Sequence, residues 1–186
     1  LLATGEMGIG NTTTSSAVAS VLLGESAEQM TGRGAGLSSG GLRRKKEVIT
    51  RAIALHKPDA ADALDVLSKV GGFDLAGLAG IFLGGAVYRI PVLIDGFISA
   101  AAALAAVRMC GTVKEYMIPS HVSKEPGVRK VFAALGMEPP LDCGMCLGEG
   151  TGAAAFVPVL EMALEVYRRM GTFAENKIED YKELGE

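Results

Sequence analysis

The chain has 186 residues, 49% of them apolar and 21% charged, and a formal net charge of −3; this balance excludes disorder and a basic nucleic-acid-binding face. Trp is absent and aromatics are only 5%, so platforms for stacking bases are also poorly supplied. The length suits one domain, or one domain with a small appendage, around a sizeable core.

The opening "LLATGEMG" has no initiator Met and no charged-then-apolar leader. It reads as a strand entered partway through a longer protein, so a fragment is expected. That strand runs into "GEMGIGNTTTSS" and then "AVASVLLG", a loop followed by a helix with Asn11 or a Thr as N-cap. A second Gly-rich loop, "TGRGAGLSSGGL" (31–42), leads into the amphipathic helix "RRKKEVITRAIALH" (43–56). Asp residues open the next helix, 59–69, and "GGFDLAGLAGIFLGGAVYR" reads as a buried helix rich in small residues.

"IPVLIDG" (90–96) is a short β-branched run ended by Asp-Gly, as in a buried parallel strand that delivers Asp95 at its carboxyl end. "FISAAAALAAVRM" is its crossover helix; "EYMIPSHVS" (115–123) gives the next strand and exit loop, and "EPGVRKVFAALG" the next helix. A long helix over 152–170 follows Glu149, and 171–186 is a charged tail. The longest uncharged runs, 75–88 and 97–107, are shorter than the roughly 20 residues of a membrane span, and buried helices are expected there.

Strand, loop and helix in alternation predict an α/β fold, a Rossmann-like parallel sheet flanked by helices. Ligands of such sheets sit beyond the carboxyl ends of the strands, where the Gly-rich loops, Asp95, "SHVS" and Glu149 should meet. Residue types leave several roles open. The two loops suit a phosphate, with bare backbone N–H groups and a helix dipole, or simply tight packing. Asp95 suits a sugar diol, or the N-cap of 97–107. His121 and Ser123 suit an anion, though His121 equally suits a structural imidazole. Lys45 suits a phosphate, or a solvated helix face within "RRKK". Cys143-Gly-Met-Cys146 has no second Cys pair beside it, which favours plain thiols over a zinc site or a disulfide framework.

The segments "GEMGIGNTT", "GRGAG", "DVLSKVGGFDLAGLAG", "LIDGFISAAAAL", "SHVSKEPG" and "LGEGTGAA" occur together and in this order. The set resembles the carboxyl-terminal half of the nicotinate-nucleotide:dimethylbenzimidazole phosphoribosyltransferase family (CobT type). The resemblance implies transfer of phosphoribose from nicotinate mononucleotide to dimethylbenzimidazole, giving α-ribazole phosphate and nicotinate. Other acceptor bases or phenols, and a nucleotide-binding module without catalysis, are the alternatives.

Glu149 then matches the catalytic base, in a Gly-lined apolar setting expected to raise its pKa. Glu6 and Lys45 match further active-site residues: Glu6 orienting the acceptor or assisting proton removal, Lys45 balancing negative charge. Asp95 matches a ribose-binding position, and Gly34, Gly36 and Ser123 positions near the phosphate. Gly8, Gly96, Leu147 and Gly148 match further substrate-contact positions. Cys146 stands where family members are expected to carry Arg. The resemblance implies no cofactor and no task for magnesium, since no pyrophosphate leaves. It also implies a homodimer, for which 74–88 and 97–107 offer apolar surface, and cysteine usage suggests the cytoplasm. The expected domains are 1–158, the nucleotide-binding part, and 159–186, a share of a small helical domain.

Overall fold

Val92, Leu93 and Ile94 have no exposed surface, and they form the middle strand of an α/β fold in the computed structural model, which describes residues 1–179. An unbroken apolar run is what a strand covered on both faces requires. Among the described residues the strands β1 (Leu2–Ala3), β2 (Val92–Ile94) and β3 (Met117–Pro119) lie in the order β1-β2-β3. Both pairings are parallel, with Val92 opposite Leu2 on one side and Met117 on the other.

Helices α1 (Asn11–Leu23), α2 (Ala27–Met30), α3 (Ser39–His56), α4 (Ala63–Val70) and α5 (Phe73–Val87) lie between β1 and β2. After β2 come α6 (Phe97–Met109) and a 3-10 turn over Gly111–Tyr116; β3 is followed by α7 (Val128–Leu135) and α8 (Thr151–Arg169). The centre of the helical packing is α6, against which α1, α4, α5 and α7 are laid. Its alanines at 100–103, 105 and 106 are wholly buried; one-carbon side chains let several helices approach it at once. The apolar surface expected of 97–107 is therefore consumed inside the chain.

Two serines of α1 enter this core satisfied: Ser15 and Ser16 donate to the carbonyls of Asn11 and Thr12, each at 2.8 Å; Ser20 Oγ is buried without a partner among the described residues.

Several expected boundaries move. Gly10, at φ 89° and without a side-chain bond, is the N-cap of α1. Asn11 lies inside the first turn and uses its amide on Glu6 instead (Nδ2 to Oε2, 2.7 Å). Helix α3 starts four residues before the expected 43, because Ser38 Oγ accepts from Gly41 N–H at 3.2 Å and caps it there. For α4 the expected Asp cap is Asp62, which accepts from the amides of Leu64 and Asp65. Helix α5 buries one face through Leu75, Leu78, Ala79 and Phe82, while Phe73, Val87 and Tyr88 lie open. The strand expected, with its exit loop, within 115–123 is three residues long, Met117–Pro119. A 3-10 turn takes its start, and Pro119, which has no N–H for a ladder, ends it.

The chain divides into two compact units, Leu1–Phe156 and Val157–Glu186. The first holds the sheet, α1 to α7 and the start of α8. In the second, α8 runs on past Pro158, and Thr172 begins a turn capped by Glu175. The end of the expected charged tail, 180–186, lies outside the described residues. No described helix is long and apolar enough to cross a membrane.

Candidate active site

Beyond the carboxyl ends of the strands lies a cavity of about 580 Å³, the position at which parallel sheets receive ligands. Its wall includes Glu6, Gly8, Gly34, Gly36, Asp95, Gly96, Ser123, Leu147 and Gly148. Of the residues singled out from the sequence, Lys45 and Glu149 are not part of that wall. His121 and Cys146 are, and the Cys143 and Cys146 thiols are free and exposed.

One end of the cavity brings together Gly34, Ser123 and Glu125, with Lys45 behind them. Gly34, at φ 55°, donates its N–H to Glu125 Oε1 at 3.0 Å. Behind it Lys45 is only 6% exposed, so the solvated helix face does not apply. Its Nζ donates to Thr12 Oγ1 (2.8 Å) and to the Gly32 carbonyl (3.1 Å). Burial lowers the Lys45 pKa below that of a free lysine, and the nearby Glu125 charge partly restores it. Ser123 Oγ and Glu125 Oε2 are buried without a partner among the described residues. Unpaired buried oxygens are uncommon; the Ser123 hydroxyl is free to donate to a ligand oxygen, whereas Glu125 Oε2 requires a donor. Glu125 went unnoticed in the sequence because "EPG" reads there as a helix start; its signal was its place two residues after Ser123.

The other side is the "LGEGTGA" turn. Gly148, Glu149 and Gly150 have φ values of 78°, 58° and 77°, three left-handed residues in a row, which only glycine adopts freely. Glu149 N–H donates to the Glu6 carbonyl at 2.8 Å, and Thr151 Oγ1 donates to the Gly148 carbonyl at 2.6 Å. The Glu6 carboxylate accepts from Asn11 and from Met7 N–H (3.1 Å). The turn is thereby bound, backbone to backbone, to the first Gly-rich loop. The Glu149 side chain itself is exposed. The apolar enclosure expected around it is absent from the described residues, because the turn that fixes its backbone leaves its side chain outside the wall that Leu147 and Gly148 form.

Asp95 is 2% exposed and does not cap 97–107: Gly96 holds that place without a side-chain bond. Its oxygens accept instead from Gly150 and Ala153 N–H. His121, 3% exposed, has Nδ1 3.0 Å from Ser120 Oγ and 3.9 Å from Asp95 Oδ1. The imidazole is thus structural in its contacts and part of the cavity wall in its position. Among the described residues no three His, Cys, Asp or Glu side chains gather as a metal site.

Burial lowers the His121 pKa, and Asp95 opposes the shift without cancelling it. The native ring therefore takes up its proton less readily than an unfolded one. As pH falls through about 6.5 the unfolded state gains protons first, and stability is lost in that window. Thermal unfolding of the full-length protein followed from pH 7.5 to 5 should show a falling midpoint, with a shallower fall in His121→Gln. An identical slope in that variant would remove His121 as the cause.

A family model described as a phosphoribosyltransferase (DBI_PRT) matches residues 1–178. The nicotinate-nucleotide–dimethylbenzimidazole phosphoribosyltransferase of Acetivibrio thermocellus is 61% identical over 98% of this chain and 52% of its own length. The protein of the same name from Ruminiclostridium cellulolyticum is 56% identical over 99% of this chain and 52% of its own. The crystal structure of CobT from Thermus thermophilus superposes with a TM-score of 0.88 at 41% identity, covering 97% of this chain and 54% of that one. The chain spans about half the length of the curated relatives it matches.

Proposed function

The chain belongs to the nicotinate-nucleotide–dimethylbenzimidazole phosphoribosyltransferase family, and on that premise we propose that it carries the donor-binding and proton-removing part of such an enzyme. The reaction is transfer of phosphoribose from nicotinate mononucleotide to dimethylbenzimidazole, within assembly of the cobalamin nucleotide loop. The observation that carries the reading is the pairing of an anion cradle, Gly34, Lys45 and Ser123, with a carboxylate-bearing turn beside one cavity.

In this reading the donor phosphate takes the position that the Glu125 carboxylate now fills, accepting from Gly34 N–H and Ser123, with Lys45 and the Gly36 turn behind. Asp95 and Gly96 meet the ribose, and Gly8, Leu147 and Gly148 border the acceptor. The acceptor nitrogen's lone pair forms the new bond at the anomeric carbon. The old C–N bond breaks with its electron pair going to the nicotinate nitrogen, which leaves neutral and needs no acid. Attack from the opposite face inverts the β linkage to α. The proton on the acceptor's second nitrogen passes to Glu149, with Glu6 orienting the base. One carboxylate suffices, where glycoside hydrolysis divides the work between two.

The exposure of Glu149 fits a site that the rest of a full-length relative would close. We read residues 1–158 as part of the nucleotide-binding domain and the described part of 159–186 as contributing to a small helical domain. The open apolar residues at the two ends of α5, Phe73, Val87 and the C-cap Tyr88, suit a homodimer contact, and the free thiols suit the cytoplasm.

The test is full-length protein incubated with nicotinate mononucleotide and a panel of benzimidazoles, purines and phenols, following nicotinate release and the nucleotide formed. α-Ribazole phosphate is expected as the preferred product. Exclusive use of a phenol would overturn the acceptor, and tight donor binding without nicotinate release would leave a binding module.

A further inference from the structure

Asp95 directly follows the central strand β2, and both its carboxylate oxygens are bonded away from the helix it precedes. It accepts from Ala153 N–H through Oδ1 at 3.0 Å and from Gly150 N–H through Oδ2 at 3.2 Å. These donors lie 58 and 55 residues further along the chain, at the start of α8. The first amides of a helix have no partner within it, and they form the positive end of its dipole. A buried carboxylate therefore does from a neighbouring strand what an N-cap residue ordinarily does from within the chain.

Glu149 stands between two such anchors. Its own amide is held by the Glu6 carbonyl at 2.8 Å, and the next amide, that of Gly150, is held by Asp95. A non-glycine residue at φ 58° between glycines at 78° and 77° keeps one conformation only when its surroundings impose it. The Asp95 amide is itself tied back, donating to Thr4 Oγ1 at 3.3 Å, and Thr4 donates to the Leu93 carbonyl at 2.8 Å. The clamp is thus fixed to the sheet.

We propose that Asp95 is a positioning residue, capping α8 across the sheet and so fixing the reach of the Glu149 carboxylate, a role that rests on reading Glu149 as the proton acceptor. A carboxylate has about four acceptor positions, so two amides leave the others for ribose hydroxyls. The two roles separate by measurement. Asp95→Asn keeps the shape but sets an NH2 group against one of the two N–H donors. In the full-length protein it is expected to lower kcat about 100-fold, as a displaced catalytic group does, with KM for nicotinate mononucleotide within about threefold. Hydrogen exchange at Gly150 and Ala153 should quicken. In a Glu149→Gln background the same change should alter kcat less than about threefold, since both act through one carboxylate.

A raised KM with kcat kept would assign Asp95 to ribose alone and overturn the proposal, as would losses that multiply in full. If the wild type proves inert towards nicotinate mononucleotide, the reaction reading fails and the clamp is judged by exchange alone. Gly150 and Ala153 amides of the wild type exchanging as fast as free-loop amides would overturn it, and that arm also decides the case should Asp95→Asn not fold.

Discussion

Glu149→Gln in the full-length protein is expected to reduce turnover by about 10²–10⁴-fold, the usual contribution of a positioned general base, while nicotinate mononucleotide still binds with near-normal affinity. The substitution is almost isosteric, and the turn does not depend on the carboxylate. Its bonds run through the Glu149 amide to the Glu6 carbonyl and through Thr151 to Gly148. In the proposed reading the donor's phosphate meets Gly34, Lys45 and Ser123, none of which the change touches. Loss should therefore fall on kcat and leave KM for the donor nearly alone, the signature of an interaction made in the transition state. Single-turnover release of nicotinate, with donor affinity by calorimetry, measures both. Near-normal turnover would remove Glu149 from the base role, and a large loss of donor affinity would place it in binding instead.

Much of the site was legible because backbone chemistry writes itself into sequence. An apolar β-branched run ended by Asp-Gly gave the central strand and Asp95, and glycine clusters before helical patterns gave the loops of the cavity. Legibility failed where a side chain's partner is distant along the chain. Asp95 reads locally as the cap of the helix it precedes; its amide partners lie 55 and 58 residues on, which no window on the sequence joins. Lys45 sits in a run of four cations that resembles a solvated face, and only the fold turns that one towards Thr12 and Gly32. The helix over 97–107 was legible as apolar but not as central, since the burial of every residue from 97 to 106 follows from how many neighbours pack on it. The exposure of Glu149 had no local signal either: glycine neighbours indicate a cleared backbone and say nothing of which way the side chain leaves.

Gly5→Ala should be a strongly damaging single-methyl change near the site, because what it meets is backbone. A Cβ at Gly5 would lie 2.4 Å from the Gly150 nitrogen, 2.6 Å from its Cα and 2.9 Å from the Glu149 carbonyl carbon. A flexible side chain could swing aside, but this segment is held at both ends: the Glu149 amide by Glu6 and the Gly150 amide by Asp95. The methyl must therefore part the "GEMG" and "LGEG" loops or break one of those bonds. Overpacking of this kind costs about 1–3 kcal/mol, and displacing the base by about 1 Å is expected to cost about 100-fold in turnover. Gly77→Ala on α5, where an added Cβ meets nothing within 4 Å, is the control. It should be neutral or stabilising by up to about 1 kcal/mol, the usual gain over glycine within a helix. Melting temperatures and kcat of the two full-length variants decide the matter. If Gly5→Ala keeps wild-type turnover, the contact between the two loops does not set the position of Glu149.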